Sequence, residues 1–322
     1  MIHKPPESFV TKSQSTKKPR EKINGWLILD KPAGLSSTQA LGRVKWELNA
    51  DKAGHGGTLD PFATGVLPIA FGEATKLINH VLDGKKSYAF TAVWGETRDT
   101  DDYTGKVVGT SSARPTPDAI KEAIKKFTGT FQQMPPQFSA LHVNGERAYD
   151  LARAGETVEL KTREVTLTRF DYVGSPDEHS ADFIVDCTKG TYIRSLARDL
   201  GHVLGCLGHV KTLKRLACGP FTLTQAISLE SIEKIGQKEG GLERFQAVLL
   251  PLATVLDDIP ALAVNEVETR RLRQGQHVVV HPLRIAAIEG TEIIMVKHGE
   301  ECVALAKLDG HIVHPVRVFH LL

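Results

Sequence analysis

The chain has 322 residues, room for two domains at about 150 residues each, and its 41% hydrophobic and 24% charged residues are ordinary globular usage. Forty Lys and Arg against 38 Asp and Glu leave a formal net charge of +2, which excludes a histone-like polycation and a strongly acidic solvating chain. No run approaches the roughly 20 apolar residues that cross a bilayer; the best, Ala247 to Leu256, is short and holds Pro251.

Residues 1–22 carry six basic side chains and two acidic ones. They are rich in Lys and Pro and poor in aliphatic residues, which predicts a disordered basic tail without the apolar core of a secretory signal. Ile23–Leu29 is a compact apolar run closed by Asp30-Lys31-Pro32, so a strand and a turn. Ser36 and Ser37 can cap a helix whose apolar positions include Ala40, Leu41, Val44 and Leu48. A Gly-rich loop runs from Gly54 to Gly65, and Val66–Phe71 and Tyr88–Trp94 read as strands. Thr116 with Pro117 opens a helix through Phe127. Val165–Val173 and Ala181–Cys187 read as strands, and Thr191–Leu204 as a strongly amphipathic helix on which Arg194 and Arg198 share one face.

Beyond Pro251 the texture changes. A short charged helix, Glu266–Gln274, precedes brief strands at His277–Val280, Ile285–Ile288, Glu292–Val296, Cys302–Leu308 and His311–Val316. This predicts a small β-rich module over 251–322, separated near Leu250–Pro260 from a larger body over 23–250. Strands and helices mix without strict alternation, so the larger body is expected to be α+β, a mixed and largely antiparallel sheet with flanking helices.

The four cysteines (Cys187, Cys206, Cys218, Cys302) form no C-x-x-C pair and fit a reducing, cytoplasmic setting. His202, Cys206 and His209 have helix-like spacing, but Gly205 and Gly208 interrupt the segment and no fourth ligand stands nearby in sequence, so no metal site is expected there.

Four segments can carry chemistry. The loop Gly54-His55-Gly56-Gly57-Thr58-Leu59-Asp60-Pro61 presents a carboxylate, Asp60, on a flexible backbone; taken alone, an Asp before Pro is commonly a turn residue. Lys189-Gly190-Thr191-Tyr192-Ile193-Arg194 places an Arg at a helix start, and such an Arg, if buried against Asp60, would hold the carboxylate charged and fixed. Asp99-Thr100-Asp101-Asp102 could ligate a divalent metal but reads more simply as a hairpin turn. Cys187–Cys218 carries six basic residues against one acid, a local +5 that could contact RNA phosphates.

Together these segments resemble the TruB-type tRNA pseudouridine synthases. The resemblance runs through seven collinear motifs: Leu29-Asp30-Lys31-Pro32-Ala33-Gly34-Leu35-Ser36-Ser37, the His55–Gly65 loop, Lys86-Ser87-Tyr88, Thr97–Gly105, Met134–Leu141 with Asn144–Tyr149, Lys189–Arg194, and Leu213-Lys214-Arg215-Leu216. It implies isomerisation of uridine-55 in the tRNA T-loop to pseudouridine: the base is flipped, the C1′–N1 bond is broken and a C1′–C5 bond is made, with no cofactor and no metal. By the resemblance Asp60 is the catalytic carboxylate, Tyr88 stacks on the target base and serves in proton transfer, and Arg194 pairs with the carboxylate. Leu213 contacts the base, Asp102 the flipped nucleotide, and His55 fills space vacated in the T-loop; Tyr192 and Lys31, in the sixth and first motifs, are further substrate-binding residues. Pro135–Gly155 resembles the insertion that folds over the T-loop, with Tyr149 and Arg153 as contacts, and the C-terminal module resembles a PUA domain.

Gly56 and Phe62 depart from the family's usual residues. The resemblance also implies tRNA as partner and a chain that works as a monomer without a protein partner. Three rival readings are a guide-RNA-dependent, dyskerin-like synthase, an RNA-folding protein that needs no catalysis, and a metal-dependent glycosyl transferase using Asp99 and Asp101.

Overall fold

The apolar run near the N-terminus forms β1 (Gly25–Lys31), and nearly all of it is buried because it is covered on both sides. Leu27 and Leu29 enter one hydrophobic cluster, while Trp26 and Ile28 enter another on the opposite face. The computed structural model describes residues 19–139, 142–143, 146–147, 160–236, 241–288 and 290–321. The tail before residue 19 and the positions of Tyr149 and Arg153 lie outside the described residues.

After β1 come α1 (Ser37–Glu47), β2 (Ala53–His55), β3 (Thr64–Phe71), α2 (Ile78–Asp83), β4 (Lys86–Trp94), β5 (Glu96–Arg98) and β6 (Val107–Thr110). They are followed by α3 (Pro117–Ile124), β7 (Gly129–Gln133), a short β8–β9 ladder (His142–Val143 with Glu146–Arg147), β10 (Arg163–Asp177), β11 (Ser180–Cys187) and α4 (Ile193–Val203). Then come β12 (Gly208–Cys218), β13 (Phe221–Thr222), β14 (Ile227–Ser228), α5 (Leu229–Gly236) and α6 (Gly241–Gln246). The C-terminal part holds β15 (Ala261–Ala263), α7 (Glu266–Arg273), β16 (Val278–Val279), β17 (Ile293–His298), β18 (Glu301–Asp309) and β19 (Ile312–Val318).

Ten of these strands make one mixed sheet in the order β14-β1-β3-β12-β4-β11-β10-β7, with β2 on β3 and β13 on β12. Only β1–β14 and β3–β12 are parallel. The fold is α+β, as composition and element pattern predict. The second sheet has the order β15-β17-β18-β19-β16.

The joint between the two sheets is filled rather than open. Trp26, Ile28, Val66 and Phe221 meet Leu252, Leu256, Met295, Leu305 and Phe319 in one cluster. The Trp26 indole N–H donates to the Leu252 carbonyl at 3.1 Å. The stretch near Leu250–Pro260, read in the sequence as a separator, is therefore packed backbone: it closes a bridge to β1 and holds a 3-10 turn over Leu252–Leu256.

Two elements differ from the sequence reading. Ile285–Ile288 is not a strand but part of two 3-10 turns, Pro282–Arg284 and Ala286–Ile288. Pro282 at the first helical position fixes φ, and the His281 ring accepts from the Leu283 N–H, so the turn wins over a four-residue apolar run. Gly208–Cys218, read mainly as a basic segment, is the central strand β12. Register shifts between Val210 and Thr212 and between Arg215 and Ala217 break the two-residue alternation that would have announced it.

Candidate active site

The Asp60 loop joins β2 to β3 and is held at every residue from Gly57 to Pro61. Arg215 donates to the carbonyls of Gly57 (3.0 Å), Thr58 (3.5 Å) and Val66 (2.7 Å). The Ser37 hydroxyl bonds both the N–H (2.8 Å) and the carbonyl (3.1 Å) of Leu59. The Asp60 carbonyl accepts from the Ala63 N–H at 3.1 Å. The Pro61 carbonyl accepts from the Gly34 N–H at 2.8 Å and from Lys31 Nζ at 3.3 Å. The loop can lie this close to β12 because Gly65 has φ +99° and no side chain: a Cβ there would sit 2.2 Å from the Arg215 carbonyl.

Asp60 is paired by Arg194, the second residue of α4. Nε donates to Oδ2 at 2.9 Å and one terminal nitrogen to Oδ1 at 3.0 Å, a bidentate fork. The remaining donors reach the carbonyls of Thr100 (2.9 Å) and Phe138 (3.0 Å), and Asp102 Oδ2 lies 3.6 Å away. Arg194 is 4% exposed, while the Asp60 side chain keeps 32% of its surface open. The guanidinium is thus inside the protein and the carboxylate faces out of it.

What the carboxylate faces is a cleft of about 600 Å³, within the usual range for ligand sites. Its walls include Asp60, Tyr88, Tyr192, Arg194, Leu213 and Arg215. Tyr88 comes from β4, where every second residue points inward; Leu213 and Arg215 come from β12, in register with Phe90 and Tyr88. An aromatic ring and an isobutyl group therefore stand on adjacent strands beside a fixed carboxylate. Burial pushes the Tyr88 hydroxyl up to about 12 against the opposing effect of Arg215, so near neutrality it is a phenol that donates rather than a phenolate. Tyr192 caps α4 with its backbone on the Gln133 side chain, and the Arg163 guanidinium lies 5.4 Å from its ring centroid.

Three of the residues expected at the site stand apart from the cleft lining. Asp102 lies behind Arg194, its Oδ1 accepting from Thr100 Oγ1, Thr104 N and Thr104 Oγ1 at 2.5–3.0 Å. Lys31 is fully buried under the loop, on the carbonyls of Pro32, Leu35 and Pro61; desolvation lowers its pKa to about 8, with Asp60 opposing. His55 ends β2 with a buried Nδ1 that has no partner among the described residues, and burial, then Arg215, keeps its pKa below the usual histidine value.

The +5 segment needs correction. Of its six basic residues, Arg194 and Arg215 are buried and Arg198 is largely so, each committed to carboxylates or carbonyls. Lys189 pairs with Asp83, and with Lys211 and Lys214 it makes up the exposed share. Half of the segment's basic residues serve the interior, and half stay on the surface. The Asp-x-Asp sequence is likewise engaged: Asp99 accepts from the Lys106 N–H and Asp101 pairs with Arg198, and among the described residues no group of three His, Cys, Asp or Glu could hold a metal ion. Among the described residues no helix is long and apolar enough to cross a membrane.

The sequence reading did not single out Arg215 or Lys86. Lys86 Nζ sits on the carbonyls of Val81, Leu82 and Gly84 at the end of α2 and also lines the cleft. The available signal was position: each falls two residues from a proposed contact, Arg215 after Leu213 and Lys86 before Tyr88.

Comparison with known proteins is consistent along the whole chain. Residues 45–193 match the family described as TruB family pseudouridylate synthase, N-terminal domain, and 194–257 match the tRNA pseudouridylate synthase B C-terminal domain. The chain is similar to the tRNA pseudouridine synthase B of Bradyrhizobium diazoefficiens, 45% identical over 321 residues, covering 99% of this chain and 92% of that one. It is 47% identical to that of Nitrobacter winogradskyi over 93% of this chain and 83% of the other. Among solved structures it resembles a chain of a Cbf5-Nop10-Gar1 complex, with TM-score 0.68 and 26% identity over 92% of this chain and 85% of that one. The fixed Asp60 loop, the buried arginine behind it and these matches lead to one conclusion: the chain belongs to the TruB family of pseudouridylate synthases.

Proposed function

We propose that this protein is a tRNA pseudouridine synthase that isomerises uridine-55 of the T-loop, with Asp60 as the reactive carboxylate. The observation that carries the reading is the bidentate Arg194–Asp60 pair, guanidinium buried and carboxylate open to a cleft walled by Tyr88 and Leu213. A stacked uridine cannot reach such a carboxylate, so the nucleotide must be flipped into the cleft. Tyr88 and Leu213 offer flat apolar contact to uracil, and Asp60 meets the electron deficiency that develops at C1′ when the C1′–N1 bond breaks. The base then turns, C5 bonds to C1′, the C5 proton leaves and N1 gains one, so the product is an isomer. Tyr88, protonated at rest, can supply a proton and then take one back.

In this reading tRNA is the partner, and the chain acts as a monomer without a metal or a protein partner, as the resemblance implies. Four buried, unpaired cysteines fit a reducing cytoplasm. The five-stranded C-terminal sheet is the part we assign to PUA-like RNA contact, and Pro135–Gly155 to the T-loop. The test is an unmodified T-arm hairpin with tritium at uridine C5. Release of tritium without guide RNA and in the presence of EDTA is expected; a requirement for guide RNA would favour the dyskerin-like alternative, and retention of tritium by the wild type would overturn the reading.

A further inference from the structure

Arg194 has a counterpart one helical turn along α4. Arg198 donates from one terminal nitrogen to Asp101 Oδ2 at 2.8 Å, from Nε to Asp199 Oδ1 at 2.9 Å, and from the other terminal nitrogen to the Met134 carbonyl at 2.9 Å. The two arginines therefore repeat one pattern. Each joins the 99–102 loop on one side, through Thr100 and Asp102 for Arg194 and Asp101 for Arg198. Each also joins the backbone at 134–138 on the other, through Phe138 for Arg194 and Met134 for Arg198.

Asp101 is the strained member of this arrangement. Its φ is +59°, a region that non-glycine residues seldom adopt, and it is 6% exposed. Its backbone is held on both sides, the N–H by the Arg98 carbonyl (3.0 Å) and the carbonyl by the Val210 N–H of β12 (3.1 Å). The next residue, Asp102, bridges to Val210 and faces Arg194. Turning Asp101 out of its conformation would carry Thr100 and Asp102 away from Arg194, and the side-chain contact opposing that turn is the ion pair with Arg198.

We propose that Arg198 is a positioning residue of the active site, a strut that sets the 99–102 loop against Arg194 and ties the root of the inserted segment at Met134 to the same helix. It acts on Asp60 only through Arg194, and it couples the segment assigned to the T-loop to the carboxylate. Burial of Asp101 works against the pair, raising its carboxyl to about 6 despite Arg198, which suits a contact kept for geometry more than for stability.

The inference rests on Asp60 being the reactive carboxylate, so its test needs an arm that does not depend on catalysis. Arg198→Gln, Asp101→Asn, the double variant and Arg198→Lys are compared for kcat and KM on the T-arm hairpin, and for hydrogen–deuterium exchange. Arg198→Gln is expected to lower kcat about 10- to 100-fold, the scale of a misplaced reactive group. The double variant should be no slower than the worse single one, because both remove one strut. Arg198→Lys, able to keep the Asp101 pair but not the reach to Met134, should recover kcat while KM stays raised. Exchange in Arg198→Gln should quicken in peptides covering 97–106 and 131–139 and stay unchanged in β4 and β11. Additive losses, a kcat within threefold of wild type, or exchange that quickens throughout α4 would overturn the proposal. A wild type that leaves the hairpin unchanged would refute the functional reading instead, and the exchange arm would still decide whether Arg198 holds the two segments.

Discussion

Replacing Asp60 by Asn separates what this residue does for the reaction from what it does for the fold. The Arg194 guanidinium has five N–H donors, of which two go to Asp60, one each to the carbonyls of Thr100 and Phe138, and one faces Asp102 at 3.6 Å. An Asn at 60 can accept one of the two bonds, but its amide N–H₂ then opposes an N–H of the guanidinium. One charge-assisted bond is lost, about 1.5–3 kcal/mol. The buried guanidinium keeps Asp102 as its compensating charge, so the loss should stay below the roughly 3–5 kcal/mol of a stranded buried ion. Asp60→Asn is thus expected to lower the melting temperature by about 2–4 °C. Tritium release from C5 should fall at least 10³-fold while T-arm binding persists. Asp60→Asn combined with Asp102→Asn removes both negative charges, and its destabilisation should exceed the sum of the single ones. Strict additivity would show that Asp102 does not share the guanidinium, and retained tritium release in Asp60→Asn would remove Asp60 from the chemistry.

Three further outcomes are open to measurement. Tyr88→Phe keeps the ring against the base but not the proton, so hairpin binding should persist while turnover falls; because burial holds the phenol near 12, the wild-type rate should show no Tyr88 limb between pH 7 and 10, and a limb there that vanishes in the variant would contradict this. Lys31 releases its proton near pH 8 when folded but near its ordinary 10.5 when unfolded, so between these values the unfolded chain holds more protons and the contribution of Lys31 to stability rises with pH. Urea midpoints of wild type minus Lys31→Met should therefore climb from pH 8 upward, and a flat or falling difference would show that the desolvated amine is not what burial suggests. Gly65→Ala drives a methyl onto the Arg215 carbonyl at 2.2 Å in a left-handed conformation, and should lower stability by more than about 3 kcal/mol with loss of tritium release.

Much of the site was legible in the sequence because chain order preserves local chemistry. The Ser36–Ser37 cap and the inward alternation from Tyr88 to Trp94 each follow from neighbours within a few residues and form as read, while β2 and β3 shorten the Gly54–Gly65 loop at its two ends. The use of charge was legible at Arg194, which the resemblance set against Asp60, and not at Arg198 or Arg215. Arg194, Arg198 and Arg215 look alike in sequence, and a run of six basic residues invites a picture of a phosphate-binding surface. Burial takes three of the six out of that surface, and for Arg215 it depends on β12 lying at the centre of the sheet, a placement its two register shifts hide. The strand error and the charge error therefore have one cause: once Gly208–Cys218 is a central strand, the residue two along from Leu213 has to point indoors.

That placement also explains how a chain with net charge +2 can hold a positive interior. Lys31, Lys86 and Arg215 have no carboxylate partner among the described residues; they are solvated by backbone carbonyls of Pro32, Leu35 and Pro61, of Val81, Leu82 and Gly84, and of Gly57, Thr58 and Val66. Carbonyl dipoles satisfy the donors without cancelling the charge. Lys31 and Arg215 hold the loop that carries Asp60, its partly open negative group, and Lys86 stands across the cleft from it. A carboxylate partner for each cation would have satisfied the same donors and neutralised that charge. Backbone solvation fixes the loop and keeps the site positive, a setting suited both to an anionic side chain that must stay in place and to a polyanionic substrate brought to it.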